Sequence, residues 1–235
     1  MNLIHTLSNK QIIQLINSII CHWHQKTELK IIQLSNCNYR IQNKIMKFFN
    51  QTNHQPELIP GLQIVTDFIS IPQEKYLISK VNSSPWSNAL KRRTQHYGFE
   101  YDYKSRNKLN PAEPFEPYMN RLVAKINRET ELNFHPDQMI INEYKPGQGI
   151  SAHIDNPRIF SDTICGISLG SGAEMVFKCG SDVRSYYLKP RSLIVMQGDA
   201  RYKYTHEIPG KKIDTIGSIR KPRSTRISLT FRKTK

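Results

Sequence analysis

Hydrophobic and polar positions change rhythm twice along this chain. Behind a Ser8-Asn9 cap, Ile12, Ile13, Ile16, Ile19 and Ile20 follow helical spacing, and Ile41, Ile45, Met46, Phe48 and Phe49 do so again over residues 38–50. A short strand is predicted between them, at 29–34. The stretch Asn53-His54-Gln55-Pro56 and then Pro60-Gly61 interrupt the pattern. Residues 1–56 therefore read as a small α-rich N-terminal extension, and residues 57–235 as the main domain.

In the main domain the pattern predicts a strand over 62–65, a helix opening at Phe68-Ile69-Ser70-Ile71-Pro72 and running to about residue 81, and a turn at 83–86. Over 94–103, Tyr97, Phe99, Tyr101 and Tyr103 fall at every second position, which puts four rings on one face of a single strand. A loop over 104–117, long enough to act as a lid, leads to a helix over 118–128. Short strands follow at 138–144, 150–154, 163–169, 173–178, 185–188, 192–196, 207–208 and 226–232. Many short strands separated by turns predict a sandwich or jelly roll, whose mouth can hold a ligand.

Charge adds a class of partner. The chain of 235 residues carries 34 Lys plus Arg against 19 Asp plus Glu, a formal net charge of +15. Such a field attracts polyanions, of which nucleic acid is the commonest. Residues 201–235 concentrate it, with eleven basic side chains against Glu207 and Asp214. The alternative is a solvated basic surface in a chain rich in Lys, Asn and Ile. Four cysteines (Cys21, Cys37, Cys165, Cys179) form no CxxC pair, and the N-terminus does not read as a secretory signal. An intracellular, cytoplasmic or nuclear location is expected. Cys21, His22 and His24 have no partners at finger spacing and read as helix-end residues. The longest apolar cluster, 12–20, is interrupted by Gln14, Asn17 and Ser18. A membrane span needs about 20 apolar residues, so a soluble monomer without membrane contact is expected.

The candidate chemistry lies in His153-Ile154-Asp155, joined by His206 from a neighbouring strand. On a strand, residues two apart share a face, so His153 and Asp155 project together. Two His and one carboxylate on one face of a metal leave the opposite face open, the arrangement of non-haem Fe(II) oxygenases. Alone, His-x-Asp is a short pattern. It gains weight from residues 226–232, whose alternation sets Arg226, Ser228, Thr230 and Arg232 on one face and Ile227, Leu229 and Phe231 on the other. Two arginines directed into an apolar barrel need anionic partners. A small dicarboxylate gripped through paired charge-assisted hydrogen bonds would suit, and structural Asp or Glu is the alternative. The basic group Lys91, Arg92 and Arg93 beside the tyrosine row offers a second site, where rings stack on a base while arginine holds phosphate. Ordinary core packing is the other reading of those rings.

Taken together, Asn142-Glu143-Tyr144-x-Pro146-Gly147, His153-Ile154-Asp155, Ser168-Leu169-Gly170, Pro190-Arg191-Ser192-Leu193-Ile194-Val195-Met196, Thr205-His206 and Arg226-x-Ser228-x-Thr230-x-Arg232 resemble the AlkB family of Fe(II)/2-oxoglutarate dioxygenases. Pro60-Gly61-Leu62, Asp67-Phe68-Ile69 and Arg93-Thr94-Gln95-His96-Tyr97-Gly98 are also similar to that family, so the resemblance covers roughly 57–235. It implies an α+β, mainly β fold: a double-stranded β-helix (jelly roll) with supporting helices. It implies that His153, Asp155 and His206 bind Fe(II), that Arg226 pairs with the distal carboxylate of 2-oxoglutarate, and that Arg232, Asn142 and Tyr144 complete the cosubstrate pocket. With O2, such a site hydroxylates a C–H bond. The implied activity is oxidative removal of alkyl groups from N-alkylated bases in DNA or RNA, single-stranded or flipped out. Arg93, Tyr97, Tyr101 and Tyr103 are then the candidate substrate-binding residues. One alternative is hydroxylation of a wobble-uridine side chain in tRNA, since Ser168-Leu169-Gly170-Ser171 and residues 191–196 also resemble the AlkB-like domain of tRNA methyltransferase fusions. Another is a protein-directed oxygenase or demethylase with the same iron site. A metal-free nucleic-acid-binding module has no physical need of the triad.

Overall fold

The computed structural model describes residues 58–101 and 109–235. Strands β1 (Leu62–Val65), β2 (Arg93–Tyr97), β5 (Gln138–Tyr144), β7 (Phe160–Gly170), β10 (Leu193–Met196) and β14 (Arg226–Thr234) form an antiparallel sheet in the order β1-β10-β7-β14-β5-β2. A second antiparallel sheet has the order β6-β11-β8-β9, from β6 (Ile150–His153), β8 (Ala173–Cys179), β9 (Asp182–Leu188) and β11 (Thr205–Ile208). Two short pairs, β3 (Phe99–Tyr101) with β4 (Leu109–Pro111) and β12 (Ile213–Ile216) with β13 (Ile219–Pro222), stand apart from both.

Alternation in β14 decides what lies on each side of the large sheet. Ile227, Leu229 and Phe231 pack with Leu77 and Val81 of helix α1 (Ile71–Asn82) and with Met119, Leu122 and Ile126 of helix α2 (Pro117–Thr130). Arg226, Ser228, Thr230 and Arg232 point the other way and line a pocket between the sheets. A second apolar cluster floors that pocket, with Ile164, Ile194 and Met196 of the large sheet against Met175, Phe177, Leu188 and Ile208 of the small one. Burying a side chain of this kind contributes about 1.5–3 kcal/mol relative to leaving it in water. The two clusters therefore fix the layers independently.

Helix α1 begins where Ser70 and Gln73 cap each other: Gln73 N donates to Ser70 Oγ at 3.3 Å and Ser70 N to Gln73 Oε1 at 2.9 Å. Pro72 sits in its first turn, where no backbone donor is missed. A third helix, α3 (Gly198–Tyr202), is one turn long and gives no sequence signal. Among the described residues no helix is long and apolar enough to cross a membrane.

The single strand expected over 94–103 is corrected. Gly98 has φ +72°, and a Cβ there would lie 1.8 Å from the Asp137 carbonyl oxygen. The chain turns at this glycine, which bonds to Glu113 O and Ala112 N, so β2 ends and β3 pairs with β4 instead. Tyr97 and Tyr101 thus belong to different sheets. Strand β4 also occupies part of the loop expected over 104–117. The 1–56 extension, with its helices and its Cys21, His22 and His24, lies outside the described residues.

Candidate metal centre

Strand pairing brings the triad together. His206 of β11 lies directly opposite His153 of β6, with ring centroids 4.4 Å apart. Gly149, just before β6, permits this approach, since a Cβ there would meet the Ile208 carbonyl oxygen at 2.0 Å. Strand β6 stops at His153, so Asp155 is not held by the strand periodicity expected for it. Arg201 of α3 holds it: its Nη1 donates to the Asp155 carbonyl at 2.7 Å, and Nε and Nη2 reach the carbonyls of Ser161 and Phe160. Nothing in the sequence pointed to Arg201, because its acceptors are backbone atoms and leave no trace in residue type.

One candidate ligand atom from each of His153, Asp155 and His206 lies within 4.8 Å of the others. His153 Nδ1 is 2.8 Å from the Ser151 carbonyl, a contact that places the proton on Nδ1 and leaves Nε2 for a metal. Burial pushes His206 down to about 4, Asp155 opposing and His153, Arg232 and Arg201 adding to the effect, so the imidazole is neutral at physiological pH. For Asp155 burial works upward, but Arg232, His206, His153 and Arg201 outweigh it and hold the carboxyl below its usual value. Arg232 Nη2 lies 2.7 Å from Asp155 Oδ1. Two imidazole nitrogens and one carboxylate are the donors an Fe(II) site needs, and the residues present fit that metal.

Behind the triad, the pocket between the sheets is lined by Asn142, Tyr144, Ser228, Thr230, Arg226 and Arg232 together with the apolar floor. Arg226 is 4% exposed. Its Nη2 donates to Ser168 Oγ at 2.8 Å and its guanidinium lies 5.6 Å from the Tyr144 ring centre. Among the described residues its Nε has no hydrogen-bond partner and no carboxylate forms an ion pair with it. Burial lowers the pKa of this guanidinium from its ordinary value. A buried cation without an acid is costly unless an anionic ligand completes it. A dicarboxylate ligand would meet that need, so the residues lining this pocket fit 2-oxoglutarate.

On the other side of the triad a wider cleft is lined by Leu90, Arg92, Tyr101, Ser151, Asn156 and Phe160 among others. Of the four residues expected to bind substrate, only Tyr101 is seen there, its ring 6.2 Å from that of Phe160. Tyr97 is 6% exposed and packs in the core under α2. Arg93 is held bidentately by Glu143 and lies over Trp86. Tyr103 lies outside the described residues. Arg92 takes the place expected of Arg93: it lines the cleft, and its Nε donates to Asn142 Oδ1 at 2.8 Å. Strand alternation does not reach Arg92, which lies in the bend just before β2 begins at Arg93, so residue type alone did not separate the two.

The profile of the 2OG-Fe(II) oxygenase superfamily matches residues 42–232. The chain belongs to that superfamily. Within it, this oxygenase is a member of the AlkB family. It is 38% identical over 176 residues to uncharacterized protein L905 of Acanthamoeba polyphaga mimivirus, an alignment covering 73% of this chain and 84% of the viral one. It is 35% identical over 204 residues to mouse tRNA (carboxymethyluridine(34)-5-O)-methyltransferase ALKBH8, covering 75% of this chain. The oxygenase spans only 31% of the length of the mouse protein. Among solved structures, that of OsALKBH1 superposes with a TM-score of 0.60 at 17% identity, over 76% of this chain and 99% of that one, a likeness of fold. The protein is an Fe(II)- and 2-oxoglutarate-dependent dioxygenase with a jelly-roll core.

Proposed function

We propose that this dioxygenase oxidises an alkyl substituent on a nucleic-acid base held in the cleft beside the triad. The observation that carries the reading is the separation of two pockets by one metal site. The inner pocket ends on the unpaired Arg226, and the outer one opens to solvent between Arg92, Tyr101 and Phe160. The net charge of +15 supports a polyanionic substrate.

In this reading His153, Asp155 and His206 hold iron, Arg232 pairs with the Asp155 carboxylate and Arg201 holds the Asp155 backbone carbonyl. Arg226 pairs with the distal carboxylate of 2-oxoglutarate, with Tyr144 and Asn142 beside it. When bound, iron and 2-oxoglutarate supply an O2-dependent oxidation in which one oxygen atom enters the substrate C–H bond and the other enters succinate, with release of CO2. The apolar floor of Ile164, Met175, Leu188 and Ile194 keeps water from the inner pocket. On an N-methyl group the hydroxylated product loses formaldehyde, which is dealkylation; on a carbon-bound group the hydroxyl stays. The test is mass spectrometry of nucleosides from alkylated DNA and from tRNA incubated with the protein, Fe(II) and 2-oxoglutarate. Loss of an N-alkylated nucleoside supports dealkylation. If no nucleoside changes while succinate forms, the base-directed reading fails.

A second reading, hydroxylation of a uridine side chain in tRNA, is favoured by the 35% identity to a relative named for carboxymethyluridine in tRNA. A hydroxylated uridine in the same experiment would establish it.

A further inference from the structure

Between β11 and β14 the chain makes an excursion that the metal site does not use, the β12–β13 hairpin. Its base is fixed. Arg223 donates to both oxygens of the buried Asp214 carboxylate, at 2.6 Å and 2.7 Å, and to the Pro209 carbonyl at 2.7 Å. On the approach to the hairpin, the Lys211 carbonyl accepts from Gly147 N at 3.0 Å. In the same turn, Gln148 Nε2 donates to the Lys91 carbonyl at 2.8 Å. Lys91 adjoins Arg92, which lines the cleft. Hydrogen bonds thus link the lip of the cleft, the turn that begins at Lys145 and the hairpin into one continuous edge.

Along this edge Lys91, Lys145, Lys212 and Arg220 are exposed, and none forms an ion pair among the described residues. Their neighbours are engaged: Lys211 pairs with Glu174 at 2.7 Å, and Lys221 lies over the Tyr187 ring. Register puts Lys221 opposite the buried Asp214 and Arg220 opposite the exposed Thr215, so Arg220 is on the outward face. Ile208, at the foot of this excursion, pairs with Ile150, three residues before His153 on β6. Three strand residues span about 10 Å, so the foot of this excursion lies about that far from His153. Like charges in a row repel one another and do nothing for the fold. They fit a partner with anions in a row.

We propose that Lys91, Lys145, Lys212 and Arg220 form a phosphate-binding rail for the strand that flanks the base in the cleft. The inference rests on the reading of a polynucleotide substrate and adds the path of its backbone. The experiment is anisotropy of a labelled, mixed-sequence single-stranded RNA oligonucleotide over a series of potassium chloride concentrations. Each lost contact lowers the slope of log affinity against log salt by about 0.7. The double variant Lys212→Gln/Arg220→Gln is expected to lose about 1.4 of slope and to keep the substrate-independent rate of succinate formation, which reports folding. Lys75→Gln/Lys80→Gln, the same charge change on the exposed side of α1, is expected to leave the slope unchanged, and Lys212→Arg/Arg220→Lys to retain binding. Equal slopes for the wild type and the rail variant overturn the rail alone, as do equal losses for the rail and α1 variants. Absence of any salt-dependent binding by the wild type, to this RNA and to single-stranded DNA of the same sequence, overturns the polynucleotide reading with it.

Discussion

Burying Arg226 between the sheets with a serine hydroxyl and an aromatic face for company leaves much of its desolvation uncompensated. That imbalance predicts opposite effects of one substitution. Arg226→Met should leave the melting temperature of the cosubstrate-free protein unchanged or raised, while the KM for 2-oxoglutarate rises about 100-fold, the loss of roughly 3 kcal/mol of charge-assisted bonding. Thermal melts and succinate formation against 2-oxoglutarate concentration check the two halves, and a large fall in melting temperature would mean that Arg226 has another partner. Arg232 acts on the metal side. Its bond to Asp155 predicts that Arg232→Gln weakens Fe(II) binding by about 10–100-fold, measured by anaerobic titration. At this scale the sequence was most legible where chemistry demands particular residue types, as at His153, Asp155 and His206. It was least legible where a side chain serves backbone atoms or a distant amide, as Arg201 and Arg92 do. Tyr97 was misjudged because alternation tells which residues share a face but not that α2 covers that face.

Among elements, strands with strict alternation or continuous burial, such as β14 and β5, were readable from the chain. The β12–β13 hairpin was not: no strand was expected between residues 208 and 226, because its base is closed by a pairing of Asp214 with Arg223 that leaves no periodic signal. The break at Gly98 is equally hidden, because the contact that requires glycine is with the carbonyl of Asp137, far along the chain. Gly98→Ala should cost about 2–4 kcal/mol from the left-handed backbone and the clash together, read by denaturant unfolding. Asp137 also clamps the end of β14, accepting from Thr234 N and Oγ1, both at 2.7 Å, and from Lys233 Nζ at 2.6 Å. Burial works to raise its pKa, but these bonds outweigh it and hold the carboxyl below its usual value. A carboxylate with a depressed native pKa adds stability above its unfolded value and loses it as pH falls through the native one. Asp137→Asn is therefore expected to cost about 1–2 kcal/mol near neutrality. The gap to wild type should narrow below about pH 4 when unfolding is compared across pH.

For the whole molecule, the mainly β architecture followed from many short strands, whereas the packing of helices α1 and α2 against one side of the large sheet emerged only from the core they share with β14. What the sequence could not convey is that two pockets of different character meet at one metal site. His153→Ala should abolish succinate formation and also the rise in melting temperature that Fe(II) gives the wild type, because a ligand bound only by the native state stabilises it. The same relation gives the buried guanidinium at the end of the inner pocket a physiological meaning. Without a dicarboxylate the protein carries an uncompensated charge in its interior; with one present at a hundred times its dissociation constant, the native state gains about 2.7 kcal/mol. The fraction of molecules open to proteases falls accordingly. The lifetime of this oxygenase against proteolysis should then lengthen with the concentration of 2-oxoglutarate, so that the molecule consumed in each turnover also protects the enzyme that consumes it.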